Sequence, residues 1–401
     1  MKSVASIVLT AVLVAAVCSA ADWPVWRGAT GDGISTETNV PVKWSPGENI
    51  AWKTPIPGKG HSSPIVSGGR VFVTSAGEGN TRLLLSLDAK TGKVLWTQTV
   101  LKAPPEKINR LNSLASSTPA ADGKHVWVTF LNVEEMLVVC YDFQGKEVWR
   151  ITPGRFTAKH GYCASLLLYE DLVIVNGDQD AQGKDTAYIV ALEKATGKER
   201  WRIDRPNRVR SYVPPVVFKA GGKDQMVLSG SVCTASYDPR TGKRNWIIKG
   251  PTEQFVASMV YTDDVFLITG GFPTLHTMGI DPKGKVLWHR RAESSYVPSP
   301  IAAGKYFFVV GDKGDLSCLA ARTGKVMWSK KLGRHHSSSP VSAAGKLYFL
   351  DDDGVTFVID AAPKYRLITK NALEEPCRAS PAISDGNIFI RGTKNLYCIG
   401  K

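Results

Sequence analysis

The stretch Asp88-Ala-Lys-Thr-Gly-Lys-Val-Leu-Trp96 returns five more times along the chain. The further copies are Asp142-Phe-Gln-Gly-Lys-Glu-Val-Trp149, Glu193-Lys-Ala-Thr-Gly-Lys-Glu-Arg-Trp201, Asp238-Pro-Arg-Thr-Gly-Lys-Arg-Asn-Trp246, Asp281-Pro-Lys-Gly-Lys-Val-Leu-Trp288 and Ala321-Arg-Thr-Gly-Lys-Val-Met-Trp328. A degenerate copy reads Asp360-Ala-Ala-Pro-Lys-Tyr-Arg-Leu367. With the orphan Trp52, seven tryptophans recur at spacings of 40 to 53 residues. A fixed period of that length marks a repeat architecture. Each phrase places Gly where a short turn needs positive φ, between runs rich in β-branched and aromatic residues, and so predicts a β-hairpin.

Upstream of each hairpin lie two more strand-like runs, such as Ser63-Pro-Ile-Val-Ser67 and Arg70-Val-Phe-Val-Thr74, turned by Ser67-Gly-Gly-Arg70. One repeat therefore holds four antiparallel strands. Such a sheet is apolar on both faces, and radial repetition buries them against its neighbours. The innermost strands begin at Ser63-Pro64, Thr118-Pro119, Ala164-Ser165, Val213-Pro214, Val256-Ala257, Ser299-Pro300, Ser339-Pro340 and Ser380-Pro381, which gives eight repeats. The eighth has only three strands, so the strand around Asn49 to Thr54, carrying Trp52, is expected to supply the fourth and close the ring. The fold class is all-β, an eight-bladed β-propeller. Trp52, Trp96, Trp149, Trp201, Trp246, Trp288 and Trp328 are read as seam residues between blades, because large aromatics carry most of the burial in such contacts.

The repeated Asp/Glu-x-x-Thr-Gly-Lys-x-x-Trp phrase resembles the pyrroloquinoline-quinone (PQQ) repeat, from about Trp44 to the end of the chain. The opening Trp23-Pro-Val-Trp26-Arg-Gly-Ala-Thr-Gly-Asp-Gly33 resembles the pre-propeller segment of secreted bacterial proteins of that family. The resemblance implies the propeller but leaves function open, because the same ring serves quinone-dependent dehydrogenases and noncatalytic scaffolds of outer-membrane assembly. The dehydrogenases add long insertions, a vicinal cysteine disulfide, an acidic catalytic residue and a calcium site. Adjacent cysteines are absent here, and the loops between repeats read as too brief to roof a cofactor. PQQ and calcium are thus open by resemblance only, and no cofactor is expected. The weak calcium candidates are Asp178 and Asp180 in Gly177-Asp-Gln-Asp-Ala-Gln-Gly183, a loop that lacks the bidentate Glu such sites use.

Residues 1–20 read as a signal peptide, with Lys2 before an apolar run from Ile7 to Val17 and small residues at Ser19-Ala20-Ala21. Lipidation at Cys18 is disfavoured by bulky Val17 before it. Residues 21–44 are then an N-terminal extension and 45–401 a single propeller. The reading is an exported protein, periplasmic or secreted and monomeric, with no transmembrane segment. Fifty basic against 36 acidic side chains give a net charge of +14. That charge suits anionic envelope polymers or lipid headgroups. The basic residues are scattered through turns rather than blocked together, so nucleic acid is not an expected partner. The six cysteines beyond Cys18 read mostly as small core residues.

No HExxH, GxGxxG, Walker or Gly-x-Ser-x-Gly motif appears, so no catalytic residue is assigned. Aligning the repeats instead gathers His61, His160, Arg210, Tyr212, Tyr296, His335, His336 and Arg378 before the inner strands, at one mouth of the channel. Guanidinium forks, imidazoles and phenols there suit carboxylate, phosphate or sugar groups, with anion binding expected to weaken as histidine loses its proton above about pH 6.5. The leading expectation is a noncatalytic envelope scaffold that binds a protein or anionic glycan at this mouth. A PQQ-dependent oxidoreductase and a polysaccharide hydrolase or lyase are the alternatives.

Overall fold

The computed structural model describes residues 21–400, so the expected signal peptide and Cys18 lie outside the described residues. Eight sheets of four antiparallel strands follow one another around an axis. Blade 1 runs outward through Ile65–Ser67, Arg70–Gly77, Thr81–Asp88 and Val94–Lys102. Blades 2 to 7 repeat this order. Blade 8 takes Ala382–Ser384, Asn387–Arg391 and Asn395–Ile399 from the end of the chain and Ile50–Pro55 from its beginning, with Trp52 opposite Cys398. That pairing closes the ring and removes the open sheet edges a linear array would expose.

The hairpin phrase works residue by residue. In the first copy, Asp88 Oδ1 accepts the Thr91 backbone N–H at 2.8 Å and its hydroxyl at 2.7 Å. Gly92 sits at φ +70°, and a Cβ there would meet Trp52 of the preceding blade at 2.5 Å. The glycine therefore serves both the turn and the seam. Trp52 Nε1 donates to the Ala89 carbonyl in the same turn at 3.0 Å. Trp96, Trp149, Trp246 and Trp288 likewise donate into the next blade's turn, at 2.7 to 3.0 Å. Trp328 reaches Ala362 at 3.3 Å. Trp201 packs on Gly242, but its indole N–H has no partner.

Every seam tryptophan also faces a small residue across its own hairpin. Trp96 opposes Ser86, Trp149 Cys140, Trp201 Ala191, Trp246 Ser236, Trp288 Gly279 and Trp328 Cys318. A bulge follows at the next pair in each hairpin and bends the outer strand. Cys140, Cys318 and Cys398 are thus small partners of large rings, and all six described cysteines are free thiols.

The N-terminal segment is a plug for the channel. Trp23 pairs with Val66 in blade 1, the Pro24 carbonyl accepts Ala121 N–H in blade 2, and Ile34 bridges to Ser342 in blade 7. Arg27 is fully buried and donates to the Pro300 carbonyl in blade 6 at 2.6 Å. Burial lowers its pKa to about 10, with Asp32 partly restoring it. Glu37 accepts the N–H groups of Asp385 and Gly386 in blade 8. Apart from the Arg27 bond to Pro300, which reaches the start of an inner strand, these contacts sit at the end of the channel where the inner strands turn back.

Candidate functional site: the blind axial cavity

The opposite end of the channel is organised by a belt of hydroxyls. Ser380 N–H donates to Ser63 Oγ (2.9 Å), Ser63 N–H to Thr118 Oγ1 (3.0 Å) and Thr118 N–H to Ser165 Oγ (3.2 Å). From the other side, Ser258 N–H reaches Ser299 Oγ (2.9 Å), Ser299 N–H reaches Ser339 Oγ (2.9 Å) and Ser339 N–H reaches Ser380 Oγ (3.0 Å). Pro214, which has no N–H, interrupts the belt in blade 4, and there Ser258 Oγ donates to the Pro214 carbonyl at 3.2 Å. The belt thus ties every blade but the third to the next at the axis, where an unpaired backbone N–H would be costly.

Above the belt lies a cavity of about 470 Å³, with Trp26 of the plug in its wall. The residue two positions before each belt position lines it: His61, Ser116, Cys163 and Tyr212 from blades 1 to 4, and Val256, Val297, Ser337 and Arg378 from blades 5 to 8. That spacing is the two-residue period of extended chain. At these positions the wall is asymmetric, polar at Ser337, Arg378 and His61 of blades 7, 8 and 1 and apolar at Val256 and Val297 of blades 5 and 6, with Asp312 of blade 6 beside them.

Of the residues expected at the mouth, His61, Tyr212, His335, His336 and Arg378 line this cavity. His160, Arg210 and Tyr296 stand three to five residues before the belt, out of phase with it or further along the connection, and lie on the rim. There the His160 ring centroid is 6.0 Å from that of Tyr212. Arg210 pairs with Asp180 at 3.0 Å, and Gln254 donates to the Tyr296 hydroxyl. Sequence reading missed Trp26, Arg110, Asn112, Cys163, Asp312 and Asp352. Counting back two residues from each Ser or Thr of the belt would have found Cys163. Asp312 and Asp352 stand in the turns between the second and third strands of blades 6 and 7.

Three expectations change at this site. The loops are not uniformly brief, since residues 103–119 arch over the mouth, with Glu106 locked to buried Arg82 at 2.9 Å and Asn112 donating to the His160 carbonyl at 2.8 Å. The arginines are not free forks, because Asp352 holds Arg378 and Asp180 holds Arg210. Three of the imidazoles give up their protons below the expected value of about 6.5. Burial, then the nearby Arg378 and Arg391, lower His61 to about 4. Burial lowers His160 and His336 as well. His336 is itself structural, with its ring nitrogens 3.1 Å from the Leu350 carbonyl and 3.0 Å from that of Leu332.

Asp312 accepts the backbone N–H groups of Tyr296 (2.8 Å) and Val297 (3.1 Å), while burial raises its pKa. Burial also pushes the Cys163 thiol up to about 12, which leaves it a protonated thiol rather than a nucleophile.

The chain matches the family described as outer membrane protein assembly factor BamB over residues 34–130, 84–265, 228–317, 278–364 and 312–399. It belongs to that family. No curated protein matches it in sequence. Among solved structures it is similar to BamB from Moraxella catarrhalis, 12% identical with a TM-score of 0.61, over 87% of this chain and 99% of that one. It is also similar to the quinohemoprotein alcohol dehydrogenase from Comamonas testosteroni, 12% identical with a TM-score of 0.68, over 95% of this chain and 81% of that one. At such identity the likeness concerns the fold alone.

The quinone and calcium that the repeat resemblance allows do not fit the side chains of this BamB-type propeller. Asp178 is spent on Arg205 at 2.9 Å, both side chains fully buried, and Asp180 is spent on Arg210. No group of three or more His, Cys, Asp or Glu side chains among the described residues is arranged to hold a metal. A polyanionic quinone would meet Asp312 and Asp352 in the wall and would have to displace Asp352 from Arg378.

Proposed function

We propose that this chain is an exported, noncatalytic binding or scaffold protein of the bacterial envelope that receives its ligand in the blind axial cavity. The observation that carries the reading is that the two carboxylates, Arg378 and His336 of the cavity are already engaged, while Arg110 and His335 stand exposed at its edge. Arg378 is matched to Asp352, Asp312 to two backbone donors, His336 lies between two carbonyls and donates to one of them, and His61 is neutral above about pH 4. A site built for general acid and base work keeps such a group poised near the working pH and free to reach substrate. This cavity instead offers a fixed polar wall facing an apolar one, which suits an amphipathic small molecule or an inserted side chain of a partner protein.

The test is native mass spectrometry of protein purified gently from envelope extract, together with PQQ-dependent dye reduction. The expected outcome is a retained small ligand or partner peptide in the wild type that is lost in Val297→Asp, with unfolding temperature within a few degrees and no dye reduction. PQQ-dependent turnover, or release of new sugar ends from envelope polysaccharide, would replace this reading with one of the enzymatic alternatives.

A further inference from the structure

One residue of the hairpin phrase is not used by the fold. The Asp or Glu caps the turn, the Gly takes positive φ under a tryptophan, and the Trp seals a seam. The residue after the glycine is lysine in all six copies: Lys93, Lys146, Lys198, Lys243, Lys285 and Lys325. Its carbonyl closes the turn, accepting the N–H of Asp88, Asp142, Glu193, Asp238, Asp281 or Ala320 at 2.8 to 2.9 Å. Any residue could supply that carbonyl. The six side chains are exposed and form no ion pair among the described residues. Arginines of the same turns behave otherwise, since Arg200 and Arg322 reach Asp171 and Asp263 at 3.0 Å.

The connectivity places all these lysines on one face. Strands alternate in direction within every blade, so the first and third turns of each blade emerge on one side and the second turns on the other. The carboxylates of this face are engaged elsewhere: Asp142 and Asp281 accept the Lys146 and Lys285 N–H at 2.8 Å, and Asp171, Glu170, Asp263 and Asp264 in the first turns pair with Arg200, Arg240 and Arg322. The opposite face receives acidic turns such as Glu134-Glu135 and Asp351-Asp352-Asp353. Lysines scattered along the sequence thus become a planar ring. Among the described residues twelve large apolar side chains are exposed, and six of them follow these lysines by one or two positions: Val94, Leu95, Val148, Val286, Leu287 and Met327, 38% to 45% exposed.

We infer that this ring is a docking face for an anionic lipid surface. A planar array matches a planar partner, and lysines bordered by exposed aliphatic chains suit headgroup phosphates over an acyl boundary. A soluble polyanion would use the lysines but leave the aliphatic border without a role. The inference goes beyond the cavity reading and does not depend on it.

The experiment is co-sedimentation of the mature chain with vesicles of equal phosphatidylglycerol and phosphatidylcholine, and with phosphatidylcholine alone, at two salt concentrations. Binding to the anionic vesicles only, weakened by salt, is expected. Lys93→Glu, Lys285→Glu and Lys325→Glu combined should reduce partitioning about 100-fold or to background, at about 1 kcal/mol for each lysine. Lys59→Glu, Lys313→Glu and Lys394→Glu combined, on the other face, should change it less than threefold. Equal loss in both triple variants, no wild-type binding to anionic vesicles at low salt, or binding to a soluble polyuronate without vesicle binding would each overturn the inference. Circular dichroism of both variants confirms that the fold is retained.

Discussion

Seven of the eight seams and the seam between blades 7 and 8 solve one packing problem in two ways. In the seven, a tryptophan of the outer strand lies on the turn of the next blade, opposite a small residue of its own hairpin. In blade 7 that register position is Thr369, and its cross-strand partner is Val358 rather than Ser, Cys, Ala or Gly. The missing ring arrives from outside the repeats. Trp44 stacks on Tyr348 with centroids 6.5 Å apart and planes 14° from parallel. Its backbone N–H donates to Asn371 Oδ1 at 3.2 Å, and Asn371 Nδ2 donates back to the Val42 carbonyl at 2.9 Å. Where a repeat loses its seam residue, the segment that also plugs the channel supplies a replacement, so that ring closure and channel closure become one structural element.

The largest expected effect comes from separating those roles. Removing residues 21–44 should strip Trp23, Val40 and Trp44 from the core cluster that joins blades 7, 8 and 1, lower the unfolding temperature by well over 10 °C and open the channel, read by calorimetry and dye binding. A deletion variant as stable as the full chain would break the comparison. Trp44→Ala, at 3% exposure, should cost about 3–5 kcal/mol. Trp246→Ala, only half-buried in an ordinary seam, should cost less, about 2–3 kcal/mol in the same denaturant titration.

The axis offers a pH test of similar size. His61 has its pKa lowered in the fold, so its contribution is complete above about pH 6.5, the unfolded value, and is lost as pH falls toward about 4, because only the unfolded chain takes up the proton readily. Stability should fall by about 2 kcal/mol across that window, and His61→Asn should flatten the slope. The smallest contrast lies within the seams. Trp96→Phe breaks the hydrogen bond to the Phe143 carbonyl at 2.8 Å, whereas Trp201→Phe removes an N–H that has no partner. The first should cost about 1 kcal/mol more than the second.

The ring was legible in the sequence because its grammar is local. A glycine turn, a tryptophan at fixed offset and a Ser-Pro start recur in register, and the three-stranded last repeat beside the orphan Trp52 led to closure. The cavity was half legible. His61, Tyr212 and Arg378 stand at the right phase from the belt, but the Asp352 and Asp180 that neutralise the arginines sit in turns 26 to 30 residues away. Burial, which sets the imidazole charge, has no local signature. The plug was not legible at all. Its contacts run from Trp23 and Ile34 to Val66 and Ser342, pairings between an irregular segment and distant inner strands that no periodicity announces.

Hydrogen exchange of Trp44→Ala against the wild type, resolved by peptide mass spectrometry, tests the claim that a segment outside the repeats seals the exceptional seam. Protection should fall selectively in Lys346–Leu350, Leu367–Ala372 and Asn387–Arg391, the strands of blades 7 and 8, while Leu172–Gly177 and Lys223–Gly230 in blades 3 and 4 keep theirs. Unchanged protection in blades 7 and 8, or equal loss in every blade, would contradict the account.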